Sequence, residues 1–161
     1  MSFRIGFGID FHQLVPGRDL WLGGVKLPHI KGALGHSDAD VLLHAICDAL
    51  LGAACLGDIG VHFPDTSNDF KNIDSKILLQ KTVMLIGEAG FKIENIDSTV
   101  CLEQPKIKQY IPEMQNVIAT ILSLNANAVS IKATTSEKMG FVGREEGVAA
   151  YATALLISIN N

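Results

Sequence analysis

A chain of 161 residues, 48% hydrophobic and 19% charged, is long enough for one domain around one core and too apolar for intrinsic disorder. Its formal net charge of −4 argues against broad nucleic-acid or anionic-membrane binding, which needs a basic face, but leaves room for an anionic small molecule held by a metal and a few local cations. Three cysteines, Cys47, Cys55 and Cys101, form no C-x-x-C pair, the opening MSFRIGFGIDFH carries no signal-peptide pattern, and no apolar run is long enough to span a bilayer uninterrupted, so a reduced, cytoplasmic protein is expected.

Residues 3–11 alternate glycine with small or apolar side chains and read as a strand, broken at Pro16-Gly17. Residues 20–27 read as a hairpin turning at Gly23-Gly24. Ser37 or Asp38 is the expected cap of a helix running to about Ala54, with Val41, Leu42, Ala45, Ile46, Ala49, Leu50 and Ala53 at i, i+3, i+4 spacing. Residues 56–68 are a loop rich in Gly, Asp and Pro. Asp74 or Ser75 caps a second helix, with Leu78, Leu79, Val83 and Ile86 inward and Gly90 at its end. Residues 91–103 form a long strand before Pro105, and a third helix starts at Pro112 and ends near Leu124. A short strand at 128–133, a polar, glycine-marked segment at 134–147 and an apolar strand at 148–159 complete the chain.

Strands alternating with helices, with no repeat or linker, predict an α/β (α+β) fold: a single domain over 1–161, its mixed sheet covered by helices on one face. The last strand is rich in Ala and β-branched residues on both faces, so it is expected to be buried on both sides. In so small a domain another subunit would have to supply one of the covers.

Chemistry enters at G-x-D-x-H, Gly8 to His12. Residues two apart on a strand share a face, so Asp10 and His12 project side by side. His44 stands in HSDADVLLH, where the first helix begins. One carboxylate and two imidazoles suit zinc and leave a fourth position open. Taken alone, His44 reads equally as a buried helix histidine with a hydrogen-bond partner. Asp40 and Asp48 flank it at i−4 and i+4, on the same helix face, where a carboxylate can orient the imidazole. Asp48 lies in the otherwise apolar DALLGAA, an expensive place for an idle carboxylate.

Three further segments combine structural and chemical readings. His36-Ser37-Asp38 supplies helix-cap residues and also donors for an anion. Asp58-Ile59-Gly60 and Phe63-Pro64-Asp65-Thr66 read first as turns, and second as carboxylates and backbone groups that bind the hydroxyls of a polyol. Thr134-x-x-Glu137 matches a capping box with no long apolar helix behind it. Its hydroxyls beside Lys132 and Lys138 suit phosphate, and Glu137 suits a hard cation bridging phosphates.

The blocks GFGIDFH, LGGVKLP, HSDADVLLHAICDALLGAACLGDIGVHFPDT, QPKIKQYIPEM and IKATTSEKMGFVGREEG resemble, in that order and across the whole chain, the 2-C-methyl-D-erythritol 2,4-cyclodiphosphate synthase family of the non-mevalonate isoprenoid pathway. The resemblance implies a phosphorus–oxygen lyase that cyclises the CDP-methylerythritol phosphate substrate and releases CMP. It implies Zn²⁺ on Asp10, His12 and His44, and Mg²⁺ or Mn²⁺ on Glu137. His36 and Thr135 would stabilise the transition state. Ser37, Asp58, Ile59, Gly60, Phe63 and Asp65 would surround the methylerythritol portion, while Pro105, Lys106, Ala133 and Thr134 would frame cytidine and its phosphates. It further implies a homotrimer with sites between subunits, and an axial cavity near Phe141 and Arg144 that takes an isoprenoid diphosphate. Phe7 stands where some members carry His, a position outside the ligand set. Leu102 and Glu103 replace smaller residues before the QPK block. Two other readings use the same residues: a zinc phosphohydrolase that activates water, and a non-catalytic trimer that binds metal or isoprenoid diphosphate.

Overall fold

The computed structural model describes residues 2–159. A five-stranded mixed sheet contains β1 (Phe3–Pro16), β4 (Lys31–Leu34), β5 (Phe91–Cys101), β6 (Val129–Thr134) and β7 (Gly147–Ser158) in the order β4-β1-β7-β5-β6. β7 pairs antiparallel with both β1 and β5, whereas β5 and β6 are parallel. That parallel pair needs a crossover, and α4 (Ile111–Leu122) lies within it. β2 (Leu20–Leu22) and β3 (Val25–Leu27) form the expected hairpin at Gly23-Gly24.

Three long helices, α1 (Val41–Ala53), α3 (Ser75–Glu88) and α4, cover one face of the sheet: α1 lies over β1 and β7, α3 packs against α1 and β5, and α4 against β6. α1 sits unusually low. A Cβ on Gly6 would fall 1.8 Å from the Ala49 carbonyl oxygen, and one on Gly8 would fall 2.0 Å from that of Ala45. Only glycine on the strand permits this approach, and small side chains complete it: Ala45, Ala49 and Ala53 from the helix, Ala150, Ala152 and Ala154 from β7, all buried.

This close packing supplies one of the two covers expected for the last strand. Ala150, Ala152 and Ala154 face α1, whereas Ala149, also buried, stands on the other side of the strand. Thr153 on its other side is exposed, and Tyr151, Leu155 and Ile157 are half-buried. Beside them Phe3, Ile5, Phe7, Ile9 and Phe11 line the outer face of β1, Ile5 at 75% exposure and Phe7 at 62%.

Several boundaries also differ from expectation. β1 runs on to Pro16 because Gln13–Pro16 pair with β4, a strand of only four residues. Asp40, not Ser37 or Asp38, caps α1, accepting from the Leu43 N–H at 3.1 Å. The 56–68 loop holds a one-turn helix, α2 (Ile59–His62), capped by Asp58. The polar 134–147 segment holds another, α5 (Gly140–Gly143). The Thr134-x-x-Glu137 capping box is not made, because Glu137 and Lys138 adopt left-handed φ of 54° and 63°. Among the described residues no helix is long and apolar enough to cross a membrane.

Candidate active site

Asp10 and His12 continue the inward face of β1 beyond Gly6 and Gly8, past the region where α1 presses on the strand. His44, at the end of the first turn of α1, points back at them. Asp10 Oδ2 lies 2.8 Å from His12 Nε2 and 3.1 Å from His44 Nδ1, and the two ring nitrogens are 3.2 Å apart. A tetrahedral cation with bonds of about 2.0–2.1 Å has ligand–ligand edges of roughly 3.3–3.4 Å, so the triangle is close to the right size for one. His12 Nδ1 is 2.9 Å from the Leu34 carbonyl oxygen. A carbonyl only accepts, so Nδ1 carries the proton, and in the neutral ring Nε2 turns a lone pair toward Asp10. Lone pairs of a carboxylate and an imidazole then face each other, an arrangement that calls for a proton or a metal ion between them. The donor set fits a divalent metal.

The electrostatics agree with that crowding. Burial raises the Asp10 carboxyl, but hydrogen bonds and charge from His12 and His44 outweigh it and hold the group at about 2. Burial lowers His12, and Asp10 more than offsets this, leaving the imidazole above its ordinary value. Gly35 leaves space for that ring: a Cβ there would sit 3.1 Å from His12 Cε1 and 2.8 Å from Ala39 Cβ.

The aspartates flanking His44 have work other than orienting its ring. Asp40, fully buried, accepts from the Gly23 and Gly24 N–H groups at 2.9 and 2.7 Å and so ties the hairpin to α1; burial raises its pKa. Asp48 accepts from the Ile59 N–H at 2.7 Å and anchors α2; burial raises its pKa as well. The His44 ring instead meets hydroxyls, with Nε2 2.8 Å from Ser75 Oγ and 3.2 Å from Ser37 Oγ.

A cavity of about 410 Å³ opens beside the triangle. Its lining includes His12, His36, Ser37 and His44 together with Ile59, Gly60, Phe63 and Asp65. His36 is tethered through Nε2 to the Ser67 carbonyl oxygen at 2.9 Å. Asp58 is outside this lining, engaged as the cap of α2 through the Val61 N–H at 3.1 Å.

A second group of residues gathers where β5 and β6 end. The Thr134 carbonyl accepts from the Leu102 N–H at 3.0 Å, the Glu103 carboxylate accepts from the Ser136 N–H at 3.3 Å, and Thr135 Oγ1 accepts from the Glu137 N–H at 3.4 Å. Ala133 and Thr134 close β6, and Lys106, next to Pro105, lines a cleft with Lys108 and Gln109. Asp10 is in register with Ala150, Ala150 with Val100, and Val100 with Ala133. The two groups therefore sit at one level of the sheet, three strand spacings or roughly 14 Å apart. Glu137 does not join the Asp10, His12 and His44 cluster. Phe141 and Arg144 lie elsewhere again: the Phe141 ring packs edge-on to Phe11 with centroids 5.9 Å apart, and Arg144 pairs with Glu146 at 2.9 and 3.1 Å.

Residues 3–157 match the profile of the YgbB family. The chain belongs to the YgbB family. A relative from Bacteroides thetaiotaomicron, named 2-C-methyl-D-erythritol 2,4-cyclodiphosphate synthase, is 63% identical over 97% of this chain and 98% of its own length. A relative of the same name from Bacteroides fragilis is 64% identical over the same shares. Among solved structures, the bifunctional IspDF of Campylobacter jejuni superposes with a TM-score of 0.94 at 41% identity, over 99% of this chain and 44% of that longer one. The CDP complex of Plasmodium falciparum IspF superposes with a TM-score of 0.86 at 34% identity, over 99% of this chain and 98% of that one.

In this YgbB-family chain local sequence pattern marks Ser75 only as a possible helix cap, not as a partner of the His44 ring, and it does not point to Gly35, Phe70 and Ile73 of the cavity wall. Leu78, also in that wall, was signalled by the apolar stripe of the second helix. Gly35 and Ile73 carry no local signal at all.

Proposed function

We propose that the chain converts 4-diphosphocytidyl-2-C-methyl-D-erythritol 2-phosphate into 2-C-methyl-D-erythritol 2,4-cyclodiphosphate and CMP, a step of the non-mevalonate isoprenoid pathway. The observation that carries the reading is the convergence of Asp10, His12 and His44 at the edge of a cavity lined by His36, Gly60 and Asp65; the names of the relatives support it. An oxygen of the 2-phosphate bonds to the β-phosphorus, the bond from that phosphorus to the CMP oxygen breaks, and no water is consumed. Zinc on Asp10, His12 and His44, with Mg²⁺ or Mn²⁺ on Glu137, supplies Lewis-acid compensation for charge on the phosphate oxygens.

The chain's own residues do the positioning. Thr135 donates its hydroxyl toward the reacting phosphates, His36 stands beside them, and Ser37 lines the approach. Asp58 and Asp65 accept from the methylerythritol hydroxyls, beside the backbone of Ile59 and Gly60 and the ring of Phe63. Pro105, Lys106, Ala133 and Thr134 receive cytidine and its phosphates. Because the end of β6 that leads into the Thr135–Glu137 turn lies three strand spacings, roughly 14 Å, across the sheet from the strand that carries Asp10 and His12, each site in this proposal is assembled from two neighbouring subunits of a homotrimer. The uncovered row of Phe3, Ile5, Phe7, Ile9 and Phe11 supports such an assembly, since an apolar patch of that kind marks an interface. Phe141 and Arg144 then border an axial cavity suited to an isoprenoid diphosphate. The free thiols Cys47, Cys55 and Cys101 support a cytoplasmic location.

Incubation with the CDP substrate and Mg²⁺ or Mn²⁺, followed by phosphorus NMR, tests the reaction. A cyclic diphosphate with stoichiometric CMP is expected. A linear phosphorylated product would identify a phosphohydrolase, and binding without turnover a non-catalytic protein. Sedimentation at micromolar concentration tests the trimer.

A further inference from the structure

We propose that Ser75, braced by Asp38, is a positioning residue that fixes which nitrogen of His44 faces the metal. The proposal rests on the metal reading given above. Ser75 is fully buried at the start of α3. Its hydroxyl contacts Asp38 Oδ1, and its backbone N–H donates to Asp38 Oδ2 at 3.0 Å. Asp38 also accepts from the Asp40 N–H at 3.2 Å, so the carboxylate is pinned at the entry to α1.

The direction of the chain follows from the donor inventory. A carboxylate only accepts, so the Ser75 hydroxyl proton goes to Asp38 and Ser75 Oγ is left as an acceptor. His44 Nε2, 2.8 Å from that oxygen, must be the donor. Nε2 therefore carries the ring proton, and the lone pair of Nδ1 points at Asp10 Oδ2. Ser37 Oγ, which takes the Ala39 N–H at 3.1 Å, stands 3.2 Å from Nε2 as a more distant acceptor.

The two histidines are thus set as opposite tautomers by different means. A carbonyl of β4 holds the proton of His12 on Nδ1, and a hydroxyl–carboxylate relay from α3 holds that of His44 on Nε2. Groups that fix a ligating imidazole in this way are typically worth about 10- to 100-fold in metal affinity. The segment carrying Ser75 also lines the cavity through Ile73 and Leu78, so the seating of α3 sets both the ligand and one wall of the cavity.

The test uses the full chain and zinc alone. Chelator competition is expected to show Ser75→Ala binding zinc about 10- to 100-fold more weakly than the unaltered chain. Nitrogen NMR of the zinc-loaded, histidine-labelled chain is expected to show a protonated, slowly exchanging Nε2 on His44, and faster exchange there in Ser75→Ala. A merely structural role for Ser75 would not move that signature. Zinc affinity of a folded Ser75→Ala within twofold of the parent overturns the proposal. So does a zinc-loaded parent whose His44 carries its proton on Nδ1, a measurement that needs no variant and stands even if Ser75→Ala does not fold. Failure of the parent chain itself to take up zinc would overturn the metal reading instead, and is seen before any variant is made.

Discussion

The two ends of the proposed reaction centre are built in contrasting ways. On β1 and α1 the potential ligands are packed into the body of the protein, His12 and His44 at 15% and 12% side-chain exposure, each ring fixed by a partner outside the triangle. Beyond β6, Thr135 and Glu137 stand on a turn with left-handed backbone at Glu137 and Lys138, braced mainly by contacts within the turn and with Glu103. The first end is organised by the core of its own chain. The second is displayed, and in the proposed assembly its surroundings would come from substrate and a neighbouring subunit. Metal affinity should therefore be a property of the single chain, and turnover a property of the assembly.

The hardest blow to this contrast is a change at the first end. His44→Ala is expected to leave a folded protein that retains no zinc after chelator washing and releases CMP at least about a thousandfold more slowly, since the metal supplies several kcal/mol; metal analysis with a CMP assay checks both, and retained turnover would break the comparison. Next comes Gly8→Ala. Its methyl would meet the Ala45 carbonyl oxygen at 2.0 Å, so α1 must lift and stability should fall by about 1–3 kcal/mol, measured by urea unfolding, with weaker zinc binding as the ligands separate. Glu137→Gln, at the displayed end, is expected to reduce turnover and flatten its dependence on Mg²⁺ or Mn²⁺ while zinc content stays unchanged; parallel metal titrations read this, and a loss of zinc would show that the two ends are not separable.

The smallest effect samples both ends without altering either. Burial pushes the Cys47 thiol of α1 up to about 12, while Cys101, in register with Thr134 at the end of β5, is raised by a shallower burial. Thiolate is the reactive form. A thiol reagent at neutral pH should modify Cys101 before Cys47, and Cys47 only on unfolding, as followed by peptide mass spectrometry. Equal rates would mean that the first end opens as readily as the second.

What the sequence made legible was whatever has a local period or a cap. Alternation on β1 put Asp10 and His12 on one face, and helical spacing placed His44 and the inward Leu78. The features it hid depend on partners far along the chain. β4 is four residues that become a strand by pairing with Gln13–Pro16, and α2 is a single turn anchored by Asp48. Helical spacing correctly put Asp40 near His44, yet the free N–H groups of Gly23 and Gly24 took its carboxylate. Ser75 reaches the same ring from 31 residues away, a distance that no helical or strand period spans.

β1 has two different faces with a period of two. Gly6, Gly8, Asp10 and His12 look inward, and Ile5, Phe7, Ile9 and Phe11 look outward. Sliding the strand by one residue against β7 would carry aromatic rings into the metal corner and leave both ligands facing solvent. Denaturant that unpairs β1 from β7 should therefore release metal as the strand's outer apolar row loses its register, whereas dilution, which leaves this pairing within the chain untouched, should leave zinc bound.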